Sequence, residues 1–318
     1  MKKTFLVLML VSLIVSGLFA QADGEKYPVR DITTIAIMSP GGGTDLVARV
    51  LSAEMAKNLK VNVNVTNVTG ASGTVGMEEV LSKPADGYTL VGIPETVATT
   101  AAMGYWNRSV DAFSYYILGG SPDLISVKKA PNSIRAAAAA NGGMHHINLA
   151  AFETGSGIKF NFIPYSGSIP SQNAVLSDEV SVVVTTIAEQ APLIKAGKLK
   201  PLAMLIPTSY TFEGKEIPSA FDTVDGLDKF LPIPQTIGVG VASNAPQNVK
   251  DRLEVAFRAA LASDSVKKFA KDNHYVVSGL SGEEASAYMR KLESLFAWTL
   301  ADLGIAKQDP AKLGIPRP

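Results

Sequence analysis

The sequence predicts an α/β protein, because the order strand, glycine-rich loop, helix occurs twice in succession near its beginning. The first unit is an alternating strand rich in Ile and Thr over residues 27–36, followed by a glycine loop at 41–45 and helically spaced apolar residues. The second unit is an alternating strand over 61–65, a glycine loop at 70–73 and a further helix, and residues 88–93 form a third predicted strand. Strands that alternate with helices in this way indicate a parallel sheet.

The second half of the chain continues this pattern. We expect strands over residues 160–164, 180–186, 199–206 and 236–242, and helices around 174–176 and 191–196 and over 246–269 and 282–303. The segment 208–234 is rich in Pro, Gly, Ser and Asp, so we expect a long surface loop or crossover there.

The first 22 residues have the three parts of a secretory signal peptide. These are a basic start at Lys2 and Lys3, a short apolar core, and Ala-x-Ala at residues 20–22. An uncleaved membrane anchor is the alternative, but the apolar core is shorter than the ~20 residues that a membrane span needs. We therefore expect cleavage after Ala22 and export of a soluble protein to the periplasm. The chain has no cysteine, so we expect neither a lipid anchor nor a disulfide.

The charge balance argues against a nucleic-acid partner. The chain has 29 Lys and Arg residues, 29 Asp and Glu residues, and only 7% aromatic residues. Nucleic-acid binding uses clustered basic side chains and stacking rings. Removal of the leader would take away Lys2 and Lys3 and leave a slight acidic excess. An anion site in this chain must therefore use local backbone dipoles rather than a positive surface.

Both glycine loops are placed to bind an anion. Each precedes a helix N-terminus, where backbone N–H groups lack intrahelical partners and the helix dipole is positive. Glycine lets a ligand approach the backbone closely, and parallel strands bring both loops to the same edge of the sheet. The spacing matches neither the dinucleotide fingerprint nor the phosphate loop. Tight strand-to-helix turns, with Thr44 and Asp45 as ordinary capping residues, remain the alternative.

No motif indicates catalysis. The sequence lacks a Gly-x-Ser-x-Gly elbow, has three histidines and shows no His/Glu spacing typical of a hydrolytic metal site. We expect a binding protein that is not an enzyme and that needs no cofactor or metal. A periplasmic sensor that signals to a membrane partner is one alternative, and a hydrolase is another. Co-purification with a transporter would exclude the sensor, and thermal protection by small carboxylates without turnover would exclude the hydrolase.

Several ordered segments resemble the receptors of tripartite tricarboxylate transporters, the Bug family of periplasmic solute-binding proteins. The segments are SPGGGTDLVAR at residues 39–49, NVTGASGTVG at 67–76, PADGYTL at 84–90, IPYSG at 163–167, IKAGKL at 194–199 and LGIPRP at 313–318. The likeness extends over nearly the whole chain after the leader, and the order of the segments makes it specific.

The resemblance implies an α/β fold of the two-lobed periplasmic-binding-protein type (type II, Venus flytrap), with a ligand cleft between the lobes. Lobe 1 would comprise residues 23–123 and 236–318, and lobe 2 residues 124–235. The implied function is that of an extracytoplasmic receptor, which we expect to be monomeric. It would capture a small carboxylate-containing solute and deliver it to the large and small subunits of a membrane transporter. A dicarboxylate, tricarboxylate, aromatic acid or amino acid would each fit this role.

In the family, the two glycine loops of lobe 1 hold the carboxylate of the ligand. Carried over residue by residue, the resemblance implies ligand contacts at Gly42, Gly43, Thr44, Asp45, Ala71, Ser72 and Gly73. Asp45 cannot attract a carboxylate, so it would cap the helix or hold an amino or hydroxyl group of the solute. Ser72→Ala would weaken binding without unfolding the protein.

Five further residues are candidates for the ligand site. Glu95 follows the third strand and is either a solvent-exposed loop carboxylate or a contact for a positive or hydrogen-bond-donating end of the solute. His145 and His146 lie where the family has a cleft-facing loop; being adjacent, they point different ways, so a shared metal is not expected. Either histidine donates to a carboxylate, with His146→Ala expected to weaken binding, or both serve packing or the surface. Thr185 and Thr186 end a strand at the expected place of lobe 2 contacts, although β-propensity explains them equally well.

A run of five alanines at residues 136–140 departs from the family pattern. Family members usually carry a longer stretch with a helix between residues 129 and 142. The shorter stretch is either a deletion or a run of alanines standing for an unknown sequence, and it places the first helix of lobe 2 in doubt.

Overall fold

A computed structural model describes residues 27–128 and 135–318. The predicted leader, residues 1–22, and its cleavage site lie outside the described residues. Within the described part of the chain, the strands are β1 (Ile32–Ala36), β2 (Val63–Asn67), β3 (Thr89–Pro94), β4 (Phe113–Gly120), β5 (Asp123–Val127), β6 (Arg135–Ala139), β7 (Asn161–Tyr165), β8 (Val182–Thr186), β9 (Lys200–Met204), β10 (Tyr210–Phe212), β11 (Lys215–Ile217), β12 (Ile237–Ala242) and β13 (Val276–Ser281). The helices are α1 (Gly43–Leu59), α2 (Thr74–Leu81), α3 (Met144–Ser156), α4 (Ser168–Leu176), α5 (Ile187–Lys195), α6 (Gln247–Ala262), α7 (Asp264–Asp272) and α8 (Gly282–Asp302). In these two ranges, no helix combines the length and the apolar character that crossing a bilayer requires.

The strands form two main sheets. The first has six strands in the order β13-β4-β12-β3-β1-β2. The pairs β1–β2 and β1–β3 are parallel, which confirms the two strand–loop–helix units expected from the sequence. Strand β12 runs antiparallel to both β3 and β4, so the sheet is mixed rather than parallel throughout. The reason is the connection. After β4 the chain leaves to form the second sheet, and it returns beside β4 as β12 in the opposite direction, without the crossover that a parallel neighbour would need.

The second sheet has five strands in the order β7-β6-β8-β5-β9 and draws them all from between β4 and β12 in the sequence. Strand β6 is parallel to β7 and β8, and β5 is antiparallel to β8 and β9. The antiparallel hairpin β10–β11 lies in the segment that the sequence predicted as a loop. The chain passes between the sheets near Ser121 and Gln235, where the backbone N–H of Ser121 donates to Gln235 Oε1 at 2.9 Å.

The alanine run forms a strand inside the second sheet, and the first helix after it, α3, begins at Met144. Strand β6 pairs with a neighbour on each side, and Ala136, Ala137 and Ala138 are completely buried. Ala136 and Ala138 pack into one apolar cluster, whereas Ala137 packs into another with Val175 and Val183. Alanine favours helices in isolation, but burial on both faces of a sheet decides its conformation here.

Two helices differ from the sequence-based expectation. The single helix predicted over residues 246–269 is broken at Ser263, which has an extended backbone and accepts the Val266 N–H on its hydroxyl, so that it caps α7. Helix α3 begins at Met144, so His145 and His146 lie in the first turn of a helix rather than in a loop.

Candidate ligand-binding site

A cavity lies between the two sheets, with an empty volume of about 390 Å³, part of it open to solvent. The first-sheet side contributes the N-terminus of α1 and the turn that follows β3. The second-sheet side contributes the N-terminal ends of α3, α4 and α5. Several helix N-termini therefore converge on one small volume, and each brings the positive end of its helix dipole. The first N–H groups of α5 are already paired within the protein, with Pro122, Ser121 and Thr186 as acceptors.

The first glycine loop lines this cavity through Gly42, Gly43 and Thr44. The backbone N–H of Gly43 donates to Glu189 Oε1 of α5 at 3.1 Å. A Cβ atom at Gly43 would lie 2.8 Å from the same oxygen and 2.9 Å from the hydroxyl of Tyr275, so this position has no room for a side chain in the present arrangement.

Asp45 fastens the loop instead of facing the cavity. Its Oδ2 accepts from the Gly41 N–H at 2.9 Å and from Arg49 Nε at 3.0 Å, and its Oδ1 accepts from Asn67 Nδ2 at 2.8 Å. Burial alone would raise the pKa of Asp45, but the hydrogen bonds from Arg49, Gly41 and Asn67 outweigh it and lower the pKa. Of the two roles expected from the sequence, the geometry favours helix and loop capping.

The second glycine loop forms a short turn of 3₁₀ helix, Ala71–Gly73, and is not among the residues that line the cavity. Ala71, Ser72 and Gly73 all have positive φ angles, of 45°, 54° and 96°. The Ser72 hydroxyl donates to the carbonyl oxygen of Asn141 at 3.1 Å, in the loop between β6 and α3. This loop therefore links the two sheets beside the cavity.

Glu95 lies in the cavity wall and is only 3% exposed, so the expectation of a solvent-exposed loop carboxylate is wrong. It begins the short 3₁₀ turn Glu95–Ala98 directly after β3, which carries its side chain into the space between the sheets. Its Oε2 accepts the backbone N–H of Thr236 at 3.1 Å, at the second passage of the chain between the sheets. Burial raises the pKa of Glu95 to about 7, although the nearby His145 opposes the shift.

His145 also faces the cavity, from the first turn of α3. Its Nδ1 lies 2.8 Å and 2.9 Å from the two carboxylate oxygens of Asp123, and Asn148 Nδ2 donates to Asp123 Oδ2 at 2.7 Å. Burial lowers the pKa of His145, but the Asp123 contact and the nearby Glu189 and Glu95 carboxylates outweigh it, so the pKa rises to about 9. The raised pKa favours the imidazolium form of His145 beside Asp123, and its Nε2 lies 3.9 Å from Glu189 Oε2.

His146 and the two threonines have structural contacts and do not line the cavity. The Nδ1 atom of His146 accepts the Gly142 N–H at 3.0 Å, its ring stacks on Phe162 with centroids 3.9 Å apart, and burial lowers its pKa to about 4. Thr186 is the N-cap of α5 and forms a capping box with Glu189. Thr185 Oγ1 accepts from Gln172 Nε2 at 3.3 Å.

Several cavity-side residues were not found from the sequence. Glu189, Thr96, Ser168 and Gln235 line the cavity, and Asp123 lies behind His145. Thr186 and Glu189 have the spacing of a capping box, which was a readable signal for the position of Glu189 at a helix N-terminus. No local pattern connects Asp123 with His145.

The electrostatic character of the cavity is acidic. Glu95 and Glu189 line it, whereas no Lys or Arg is found among its described lining residues. In the described ranges no group of His, Asp and Glu residues has the arrangement of a metal site.

Comparison with known proteins places this fold and cavity among solute receptors. The family described as "Tripartite tricarboxylate transporter family receptor" (TctC) matches residues 120–290, more than half of the chain. Protein BugT of Bordetella pertussis is 28% identical over 211 residues, which are 60% of this chain and 65% of BugT.

Two solved structures share the fold. The Rhodopseudomonas palustris protein Rpa4515, solved with adipate, has a TM-score of 0.78 and 21% identity, covering 88% of this chain and 99% of that one. MatC (Rpa3494) from the same species, solved with bound malate, has a TM-score of 0.77 and 22% identity, covering 86% of this chain and 100% of that one. The chain belongs to the tripartite tricarboxylate transporter receptor family, and its fold is that of the two-lobed periplasmic binding proteins.

Proposed function

We propose that this protein is an extracytoplasmic receptor that captures a small carboxylate-containing solute between two lobes and delivers it to a tripartite tricarboxylate-type transporter. The observation that carries the proposal is the convergence of the α1, α3, α4 and α5 N-termini on one cavity between the sheets. Such N-termini bind anions without basic side chains. The lobes we propose are residues 23–123 with 236–318, and residues 124–235; their limits fall where the chain passes between the sheets.

Contacts between the sheets support a closing mechanism. The Ser39 hydroxyl donates to the Ser166 carbonyl oxygen at 3.1 Å, and Tyr210 and His274 are hydrogen-bonded at 2.8 Å, in addition to the contacts of Gly43 and Ser72. We propose that the open form receives the solute on the first lobe and that second-lobe groups then complete its coordination. A solute that contacts both lobes shifts the population toward the closed form, which the transporter recognises.

The expected affinity follows from the kind of contact. A hydrogen bond to a charged group contributes roughly 1.5–3 kcal/mol. Three or four such bonds, less the cost of ordering the solute and closing the lobes, are enough for micromolar binding, about 8 kcal/mol. The structures of family-like proteins with adipate and malate support a solute of this size and chemistry.

The proposal includes export by the leader over residues 1–22 with cleavage after Ala22, residence in the periplasm, and partnership with a large and a small membrane subunit. It includes no chemical turnover. Gly42, Gly43 and Thr44 would border the solute from the first lobe, although the Gly43 N–H is donated to Glu189 in this arrangement, and His145 would contact it from the second. Ala71, Ser72 and Gly73 would act on binding through closure, because the Ser72–Asn141 contact joins the lobes.

The test is a thermal-shift and calorimetric screen of the mature protein against C3 to C6 organic acids, amino acids and aromatic acids. A ligand at about 100 times its Kd stabilises the folded state by about 2.7 kcal/mol, which a melting curve resolves easily. Mass spectrometry then checks that the bound solute is recovered unchanged. The proposal fails if no acid-bearing solute protects the protein, or if the solute is converted.

A further inference from the structure

The wall of the cavity carries two carboxylates, and the basic group found among its described lining residues is His145, whose Nε2 lies 3.9 Å from one of them. Glu95 and Glu189 both line it, and none of the described lining residues is a Lys or Arg. The one cation near them, His145, is already in contact with both carboxylate oxygens of Asp123. The charges on the cavity side of the molecule therefore sum to an excess of negative charge, which is unexpected for a site that would hold only carboxylates.

Glu189 occupies the position that a solute carboxylate was expected to take. Its Oε1 accepts the Gly43 N–H at 3.1 Å, and its Oε2 accepts the Thr186 N–H at 3.1 Å. The capping box with Thr186 ties this carboxylate to the N-terminus of α5. The anion-binding end of α1 is thus satisfied by the protein itself, and a second carboxylate placed there would meet a like charge.

An independent observation indicates that a polar ligand group fits between these carboxylates. Thr96 follows Glu95, lines the cavity and is 4% exposed, yet its Oγ1 has no hydrogen-bond partner among the described residues. Buried hydroxyls are normally paired, because leaving one unpaired costs free energy. Thr96 lines the same cavity as the two carboxylates, and together their oxygens form a set of acceptors to which a protonated amine offers three donors.

We propose that the solute carries a protonated amine, and that Glu95, Glu189 and Thr96 recognise it while the carboxylate of the solute is held elsewhere in the cavity. This inference rests on the proposed receptor function and narrows its ligands to amine-bearing acids, such as amino acids. His145 supplies the matching group for the carboxylate: Asp123 occupies its Nδ1, and its Nε2 faces the side of Glu189 without a hydrogen bond of its own, at 3.9 Å.

Matched pairs of probes test the proposal. Calorimetric titration would compare succinate with L-aspartate, glutarate with L-glutamate, and adipate with L-2-aminoadipate, at one pH and ionic strength. The members of each pair differ only by the amine. The expected result is that the amine-bearing member of at least one pair binds about tenfold or more tighter than its partner, as the gain of a charge-assisted contact requires.

Two variants and one control test whether Glu95 and Glu189 cause the preference for the amine-bearing acids. Glu95→Gln and Glu189→Gln keep the size and one acceptor oxygen of each side chain but remove the charge, and each should reduce the preference for the amine by about tenfold. Glu79→Gln is the matched control, because Glu79 is an exposed residue of α2 paired with Lys83, and its preference should equal that of the wild type.

The outcomes distinguish a failure of the amine inference from a failure of the proposed receptor function. If the plain acids bind as tightly as their amine-bearing partners, or if Glu95→Gln and Glu189→Gln leave the preference intact, the inference is overturned and the receptor function stands. If no member of any pair binds, the inference is overturned, and the receptor function fails with it only if no other acid-bearing solute of the screen protects the protein.

Discussion

The two glycine loops of the first sheet follow neighbouring parallel strands, yet they contact different things. The first, after β1, opens the helix α1 of 17 residues and lines the cavity through Gly42, Gly43 and Thr44. The second, after β2, turns through four consecutive positive φ angles at residues 70–73 before the helix α2 of 8 residues, and its Ser72 contacts Asn141 of the other lobe.

The difference separates two uses of glycine. In the first loop the backbone is extended at the N-cap, Gly42, and the missing side chain at Gly43 allows close approach of a carboxylate. In the second loop, Gly73 supplies a backbone conformation that residues with a Cβ rarely adopt. The first loop is built for contact with an anion and the second for a tight turn that reaches the opposite lobe, so substitutions should affect binding and stability unequally.

The largest expected effect is on stability, from Gly73→Ala in the second loop. An alanine there would hold φ near 96°, and its Cβ would lie 2.7 Å from Ile37 Cδ1. Left-handed backbone costs roughly 1–2 kcal/mol and overpacking roughly 1–3 kcal/mol, so we expect a loss of about 2–4 kcal/mol in the free energy of unfolding. Urea denaturation measures it. An unchanged midpoint would mean that the second loop is not the constrained turn described here.

The second-largest expected effect is on the pH dependence of the free energy of unfolding. It concerns Glu95, which lines the same cavity as the first loop. Burial raises the pKa of Glu95 from 4.5 to about 7, so the folded protein holds this proton more tightly than the unfolded chain. The resulting stabilisation is complete below about pH 4.5 and is lost as pH rises through about 7, with an upper bound of about 3 kcal/mol.

Measured against Glu95→Gln, the wild type should therefore lose stability between about pH 5 and about pH 8. His145 titrates with a raised pKa in both proteins, so the difference between them isolates most of the Glu95 contribution. Ser72→Ala is the second-loop control and should follow the wild-type pH profile. Parallel wild-type and Glu95→Gln profiles would contradict the burial of an ionisable carboxylate at this site.

Gly43→Ala should weaken solute binding and also cost some stability, whereas Gly73→Ala acts mainly on stability. Its methyl group would crowd Glu189 Oε1 of the opposite lobe at 2.8 Å when the lobes close, and the Tyr275 hydroxyl of its own lobe at 2.9 Å whether or not they close. A penalty of roughly 1–3 kcal/mol on binding corresponds to about a 5- to 150-fold rise in Kd, measured by calorimetry. Gly157→Ala is the control: an added methyl meets no atom within 4 Å but φ is 71°, so it should cost stability and leave Kd unchanged.

The smallest effect is expected from Ser72→Ala, which removes one hydrogen bond between the lobes without adding bulk. Such a bond contributes about 0.5–1.5 kcal/mol, so the Kd should rise by a factor of roughly 2 to 12. Small-angle scattering of the ligand-free variant should show a larger open fraction.

His146→Ala, in contrast, should change stability and not Kd, because His146 packs on Phe162 outside the cavity. A rise in Kd for His146→Ala would place that ring in the site after all.

Local patterns in the sequence determined much of the first sheet. The alternation over residues 27–36, the glycine loop and the helical spacing after it predicted β1, its loop and α1, and the same argument predicted β2 and α2. These features are local because a helix N-terminus needs only the adjacent loop and helix to expose its N–H groups. Ordered family segments then identified the receptor family, which the family match confirms.

Only the tertiary structure decided which groups share the cavity. Gly43 and Glu189 lie 146 positions apart in the chain, and Asp123 and His145 meet because β5, which begins at Asp123, belongs to the sheet on which α3 packs. The alanines of β6 form a strand against their helix preference, because burial on both faces of a sheet outweighs intrinsic propensity. The sequence alone determined that glycine loops precede the helix N-termini of the first sheet. The fold decided that a glutamate of the protein occupies one of them, because contacts between distant segments leave no local pattern.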